Sequence, residues 1–231
     1  MTDQESTTTD VPQEKPSHSM SRTAYERIET LLNCGALHPG QVVSQRELVD
    51  MTGATLASIR IAIPRLEAEG LLQTLPKRGL MVPSLDVAFV RDAYQLRQMI
   101  EVGAIEHAAT SLQPGQIAAW IERHETLLDL LVQDRHREIS AELQALDWSM
   151  HESIVAAMGN KLIDNTYRVT SIKTRMVVQS RLQITSDNAR RVLEEHLAFL
   201  RPLANRDIDS ARAALSQHIS NSLDLALGAR N

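Results

Sequence analysis

The stretch LHPGQVVSQRELVDMTGATLASIRIAIPRLEAEGLLQTLPKRGLMV, residues 37–82, decides the reading of this chain. Pro39-Gly40 marks a turn. Ser44 with Glu47 three residues on forms a capping box, which predicts a short helix that stops at Gly53. Thr55 caps a second helix carrying Ile59, Ala62, Ile63 and Leu66, and Gly70 ends it. Two short strands are predicted near 71–75 and 80–82, with Lys77-Arg78-Gly79 as the tip between them.

Upstream, Tyr25, Ile28, Leu31 and Leu32 recur at helical spacing, and Gly35 closes that helix. Residues 1–20 are Thr, Ser, Gln, Asp and Pro-rich without periodicity and read as a disordered tail, so the first domain is 21–83. From 84 to 231 every segment reads as helix: about 86–110, 114–133, 138–158, 160–182, 187–205 and 208–227, with Pro202 a source of bending in the fifth. The fold class is mainly α, a winged helix-turn-helix followed by a six-helix bundle. Composition agrees. Of the 231 residues 43% are hydrophobic but only 3% aromatic, so the core is aliphatic and suits helix packing. The one cysteine, Cys34, excludes an internal disulfide and fits a reducing cytoplasm. No 18-residue apolar run and no signal-peptide pattern is present, so neither membrane insertion nor secretion is expected.

Two short helices joined by a tight turn place the second in the DNA major groove, where its first residues reach base edges. Here these are Thr55, Leu56, Ala57, Ser58 and Arg60, with Arg60 suited to guanine or phosphate. Lys77 and Arg78 put two cations beside Gly79, whose missing Cβ lets backbone approach a sugar-phosphate. Charge alone does not find this surface: the chain carries −5, and residues 20–83 hold seven Lys/Arg against six acids. Shape alone also leaves an ordinary helical hairpin open.

The helical segment carries a second constellation. Leu143, Leu146, Met150, Ile154 and Met158 form an apolar stripe, and Asp147 and His151 fall on the same face one turn apart. His196 lies on the face of Leu193, Leu197 and Leu200, and His218 on that of Ala211, Leu215, Ile219 and Leu225. Inward imidazoles and a carboxylate are costly unless bonded. A divalent metal satisfies all four, and three N ligands with one O ligand suit Zn²⁺, Ni²⁺ or Mn²⁺. Hydrogen-bonded core histidines are the alternative. His107, His124 and His136 show no such company and read as surface or core residues. Arg97 is in register with Val90, Ala93 and Ala104, either to bind a carboxylate bidentately or to pair with Glu101. Asn160 is a candidate contact to the same ligand, or the cap of the next helix.

Residues 23–82 resemble the winged N-terminal domain of GntR-family repressors through "LHPGQVVSQRELVDMTGA", "IRIAIPRLEAEGLL" and "PKRGLMV". That resemblance implies DNA contacts from Arg46 and Arg60, with Gly79 at the wing tip. Two departures stand out. Leu56 occupies a position where the family usually has Arg, and Pro64 lies inside the recognition helix, where it removes a helical bond. "LDWSMHESIVAAMGN" and "EEHLAFLRPLANRDIDSARAALSQHI" resemble the FCD sensor domain of the FadR subfamily. This implies metal binding by Asp147, His151, His196 and His218, with an Arg at the place of Arg97 lining an effector pocket. The six-helix sensor looks like the VanR branch, which implies an aromatic acid or related carboxylate. The expectation is a cytoplasmic homodimer that binds palindromic operator DNA, a repressor controlled by a small organic acid beside the metal. The rivals are a metal-responsive regulator, a metal-dependent enzyme and a purely structural metal.

Overall fold

The computed structural model describes residues 16–132, 136–181 and 186–228. The chain divides into two compact units, one comprising the residues up to Cys34 with Gln41–Pro83, the other Ser84 onward with Gly35–Gly40.

In the first unit, α1 (Pro16–Asn33), α2 (Gln45–Thr52) and α3 (Leu56–Ala68) accompany a sheet of β1 (Val42–Val43), β2 (Gln73–Leu75) and β3 (Gly79–Met81). Helix α1 begins at Pro16, inside the segment read as tail; proline suits the first helical position, where its missing N–H is not needed. The capping box of α2 is complete, with Ser44 accepting from Glu47 N and Glu47 Oε2 accepting from Ser44 N at 2.7 Å. Gly53 ends α2 at φ 64°. Gly70 ends α3 in the left-handed region, and Leu71 N donates to Leu66 O at 2.8 Å in a Schellman closure. Helix α3 runs unbroken through Pro64, which is exposed, so the lost backbone bond lies on the wet side. Fully buried Ile28 and Leu32 of α1, Leu48 of α2, and Ile59 and Leu66 of α3 form the core.

The sheet is antiparallel in the order β1-β3-β2, with Val43 opposite Leu80 and Thr74 opposite Leu80 on the other side. Strand β1 was not expected from the sequence. Its arrival explains Gly79. A Cβ there would lie 2.7 Å from the Val43 carbonyl oxygen, and φ is +114°. The missing Cβ therefore serves strand pairing, and Gly79 is the first residue of β3. Lys77, at φ 63°, turns the chain there.

The second unit contains α4 (Val87–Ser111), α5 (Pro114–Val132), α6 (His136–Ala156), α7 (Lys161–Arg181), α8 (Ser186–Ala204) and α9 (Ile208–Ala226). Helix α4 packs against α6, α7, α8 and α9, and α8 touches both α5 and α9. Fully buried Val90, Ala104, Ile105, Met150, Ile154, Phe199, Leu200 and Leu215 fill the centre. Caps set several boundaries. Asp86 accepts from Phe89 N at 2.7 Å and Asp207 from Ser210 N at 3.2 Å. Helix α8 continues past Pro202 to Ala204. Among the described residues no helix is long and apolar enough to cross a membrane.

Candidate metal centre

Helix α6 carries Asp147 and His151 one turn apart, α8 supplies His196, and α9 supplies His218. Each of these helices turns the residue inward because its apolar neighbours at i±3 and i±4 are core. His151, His196 and His218 are 2%, 0% and 2% exposed. One ligand atom from each of the four residues lies within 4.8 Å of all the others. Asp147 Oδ1 stands 3.0 Å from His196 Nε2 and 3.6 Å from His151 Nε2.

The second ring nitrogens are held from outside. His218 Nδ1 meets Glu195 Oε2 at 2.8 Å. His196 Nδ1 meets His124 Nε2 at 2.9 Å. His151 Nδ1 lies 2.7 Å from Glu101 Oε2, a close contact off the line of a hydrogen bond. The carboxylates are anchored in turn. Glu101 accepts from Arg97 Nε at 2.6 Å and from the Tyr167 hydroxyl at 2.7 Å. Glu195 accepts from Arg191 at 2.6 Å and from Asn221 at 2.7 Å. Such outer partners fix ring orientation and raise ligand basicity in metal sites.

The residues fit a cation. The Nε2 atoms of His151 and His196 are buried with no hydrogen-bond partner. Without an ion, a proton on His196 Nε2 would face Asp147 Oδ1 at 3.0 Å, and a divalent ion among these four residues would take that place. Burial pushes His218 down to about 3, against the pull of Glu195. It pushes His124 down to about 4, with His196 adding to the shift. Both rings are thus neutral near pH 7, as ligation and its support require. Asp147 is held far below the usual carboxylate range: burial raises it, but His196 and His151 outweigh that. Glu101 and Glu195 likewise sit at about 2, their neighbouring Arg97 and His218 overcoming burial.

Beside the centre lies a cavity of about 90 Å³. Its lining includes the polar Asp147, His218, Arg97, Arg191, Asn188 and Tyr94 and the apolar Leu143, Val178, Val192 and Leu225. The Tyr94 hydroxyl is buried without a hydrogen-bond partner. Arg97 is 7% exposed; it pairs with Glu101 and also borders the cavity.

Asn160 does not join this group. It is exposed, and its Oδ1 accepts from Leu162 N at 3.0 Å, which makes it the cap of α7. In the first unit, Arg46, Thr55, Arg60, Lys77 and Arg78 are exposed. Arg60 Nε donates to Gln45 Oε1 at 3.0 Å. Ser58 is 4% exposed and its hydroxyl lies 2.7 Å from that of Thr55; it faces the core and completes the cap rather than a reading face. The exposed side of α3 is unusually apolar, with Leu56 36% and Ile61 55% exposed.

Glu195 and His124 escaped the sequence reading. Glu195 left no signal beyond adjacency to His196. His124 did: it continues the stripe Ile117, Trp120, Leu127, Leu131, all buried on α5. Its isolation in sequence hid its nearness to His196 in space. His107 is exposed, and the side chain of His136 lies outside the described residues.

Comparison with known proteins agrees on both units. Residues 92–221 match the family model "FCD domain", and residues 20–82 match "Bacterial regulatory proteins, gntR family". The Nta operon transcriptional regulator of Aminobacter aminovorans is 30% identical over 191 residues, 82% of this chain and 86% of that protein. An HTH-type transcriptional regulator in an unstable DNA locus of Streptomyces ambofaciens is 26% identical over 200 residues, 86% and 81% of the two chains. Among solved structures, E. coli McbR/YncC has the same fold, with a TM-score of 0.75 at 17% identity over 92% of this chain and 99% of that one.

Proposed function

This chain belongs to the gntR family of bacterial regulatory proteins and carries an FCD domain, and from that premise we propose how it is controlled. It is a transcriptional regulator whose first unit binds DNA. The centre formed by Asp147, His151, His196 and His218 would hold a divalent ion, Zn²⁺, Ni²⁺ or Mn²⁺, because three imidazole nitrogens and one carboxylate oxygen suit these ions. An ion that takes more than these four ligands would supply, when bound, a Lewis-acidic position for an anion. The observation that carries this reading is the convergence of one ligand atom from each of these four residues, three of them buried imidazoles, within 4.8 Å of one another.

The effector is a small acid bound in this cavity, where the Tyr94 hydroxyl has no other hydrogen-bond partner. Its tail lies along Leu143, Val192 and Leu225, which favours a monoacid with an apolar body, in keeping with a VanR-like sensor. At about 10–15 Å³ per water-sized occupant, the volume admits a molecule of roughly six to nine non-hydrogen atoms. The protein acts as a cytoplasmic homodimer on a palindromic operator, through Arg46, Thr55, Arg60, Lys77 and Arg78, and the acid releases it. A coupling of about 1–3 kcal/mol changes operator affinity roughly 5–150-fold. The pairing of Arg97 with Glu101 favours a second reading, in which the ion itself is the signal.

Elemental analysis of the purified protein, followed by operator titration with and without chelator and with a series of monoacids, tests both. Affinity that moves with acids at constant metal supports the acid sensor. Affinity that follows the metal and ignores every acid supports the metal sensor, and affinity indifferent to both overturns each.

A further inference from the structure

We propose that Leu56 and Ile61 are specificity-determining residues that read the methyl groups of two thymines in each operator half-site, on either side of Arg60. The inference rests on the DNA-binding role of the first unit and goes beyond it to the base pairs that α3 accepts.

Helices α2 and α3 form the helix-turn-helix, and in such a pair the first turns of the second helix meet base edges in the major groove. The exposed residues there are Leu56, Ala57, Arg60, Ile61 and Pro64. Ser58 faces the core, and the Thr55 hydroxyl caps the helix by accepting from Ser58 N at 3.1 Å. Within the first two turns of α3, Arg60 alone is exposed and able to donate a hydrogen bond from its side chain. At 3.6 residues per turn, Leu56 and Ile61 stand about 140° apart around the axis and about 7.5 Å apart along it, with Ala57 and Arg60 between them. They therefore meet different base pairs.

Charge complementarity makes DNA the occupant of this apolar face. Arg46 of α2, Arg60 of α3, and Lys77 and Arg78 of the turn between β2 and β3 are exposed on the same unit, which suits a polyanion. The major groove presents donors and acceptors at every base pair, and thymine adds an apolar group, its C5 methyl. An aliphatic side chain set against a base nitrogen or carbonyl strips water from it and returns no hydrogen bond. Set against a thymine methyl, the same side chain buries apolar surface on both partners. Leu56 and Ile61 thus favour A·T pairs at their two positions and disfavour G·C pairs.

The test uses the full-length chain. Selection from random synthetic duplexes, which carry no methylcytosine, yields the operator, and thymine is expected at two or more positions of each half-site. Each thymine of one half-site is then replaced by deoxyuridine, which removes the methyl and keeps every hydrogen-bonding group. Affinities are measured for the parent, Leu56→Ala and Ile61→Ala. At two positions the parent loses about fourfold, the worth of one buried methyl-sized group. Leu56→Ala is indifferent to deoxyuridine at one of these positions and Ile61→Ala at the other. Both side chains are exposed and uncharged, so the variants keep the parent's melting temperature and its slope of log affinity against log salt. A recovered operator that lacks thymine, or that binds the parent equally well with deoxyuridine, overturns the inference alone. A deoxyuridine loss that persists undiminished in both variants also overturns it. Selection that recovers no preferred sequence overturns the operator reading and the inference with it.

Discussion

Substituting Glu101 by Leu isolates the energetics of the buried network behind the centre. The carboxylate is wholly buried and its partner Arg97 nearly so, with side chains 0% and 9% exposed. Removing it leaves the guanidinium without its counter-charge, the Tyr167 hydroxyl without its acceptor, and His151 Nδ1 without its neighbour. Breaking one side of a buried ion pair costs about 3–5 kcal/mol, since the remaining charge stays desolvated. For a chain of this size that lowers the melting temperature by roughly 6–20 °C, at about 2–4 °C per kcal/mol. Differential scanning calorimetry of the metal-free protein measures it. The double variant Arg97→Met/Glu101→Leu recovers a large part of the loss, because no orphan charge remains. Two outcomes refute the reasoning: Glu101→Leu within about 1 kcal/mol of the parent, or a double variant less stable than the single one.

Three further outcomes are expected. In the metal-free protein, burial lowers His218 to about 3 and His124 to about 4, whereas imidazoles of the unfolded chain titrate near 6.5. The unfolded state therefore binds more protons between these values, and stability falls as pH drops from about 6.5 toward 4; equal urea midpoints at pH about 7.5 and about 5 would count against it. Leu56→Arg adds a phosphate-reaching cation to the exposed start of α3, so the plot of log affinity against log salt steepens by about 0.9, and an unchanged slope shows that this position stays clear of the DNA backbone. Gly79→Ala drives a Cβ to 2.7 Å from the Val43 carbonyl at φ +114° and costs about 1–3 kcal/mol, read as an earlier thermal transition; an unshifted one means β1 is dispensable.

Local chemistry made much of this structure legible in advance. Ser44 with Glu47, Gly53, Thr55 and Gly70 each satisfy a helix end by themselves, so the boundaries of α2 and α3 follow from neighbours in sequence. Asp147 and His151 are similarly local, and inward stripes around His196 and His218 point to their burial. What escaped depends on distant chain. Val42–Val43 is too short for any alternation to announce β1, and it is a strand only because β3 lies beside it. Ser58 looked outward until the hydroxyl of Thr55 claimed it. Asn160 had two readings, and two backbone N–H groups decided for the cap. Gly79 needed β1 before its missing Cβ had an explanation.

The paired arrangement around the centre has an electroneutrality consequence. Asp147, Glu101 and Glu195 are ionised, and Arg97 and Arg191 answer two of the three negative charges. A divalent ion turns the remaining deficit into a surplus of one positive charge. In a setting where charges are poorly screened, that surplus would select an anion by valence as well as by shape. A singly charged anion brings the whole cluster to zero, whereas a dianion returns it to the imbalance the ion had just relieved.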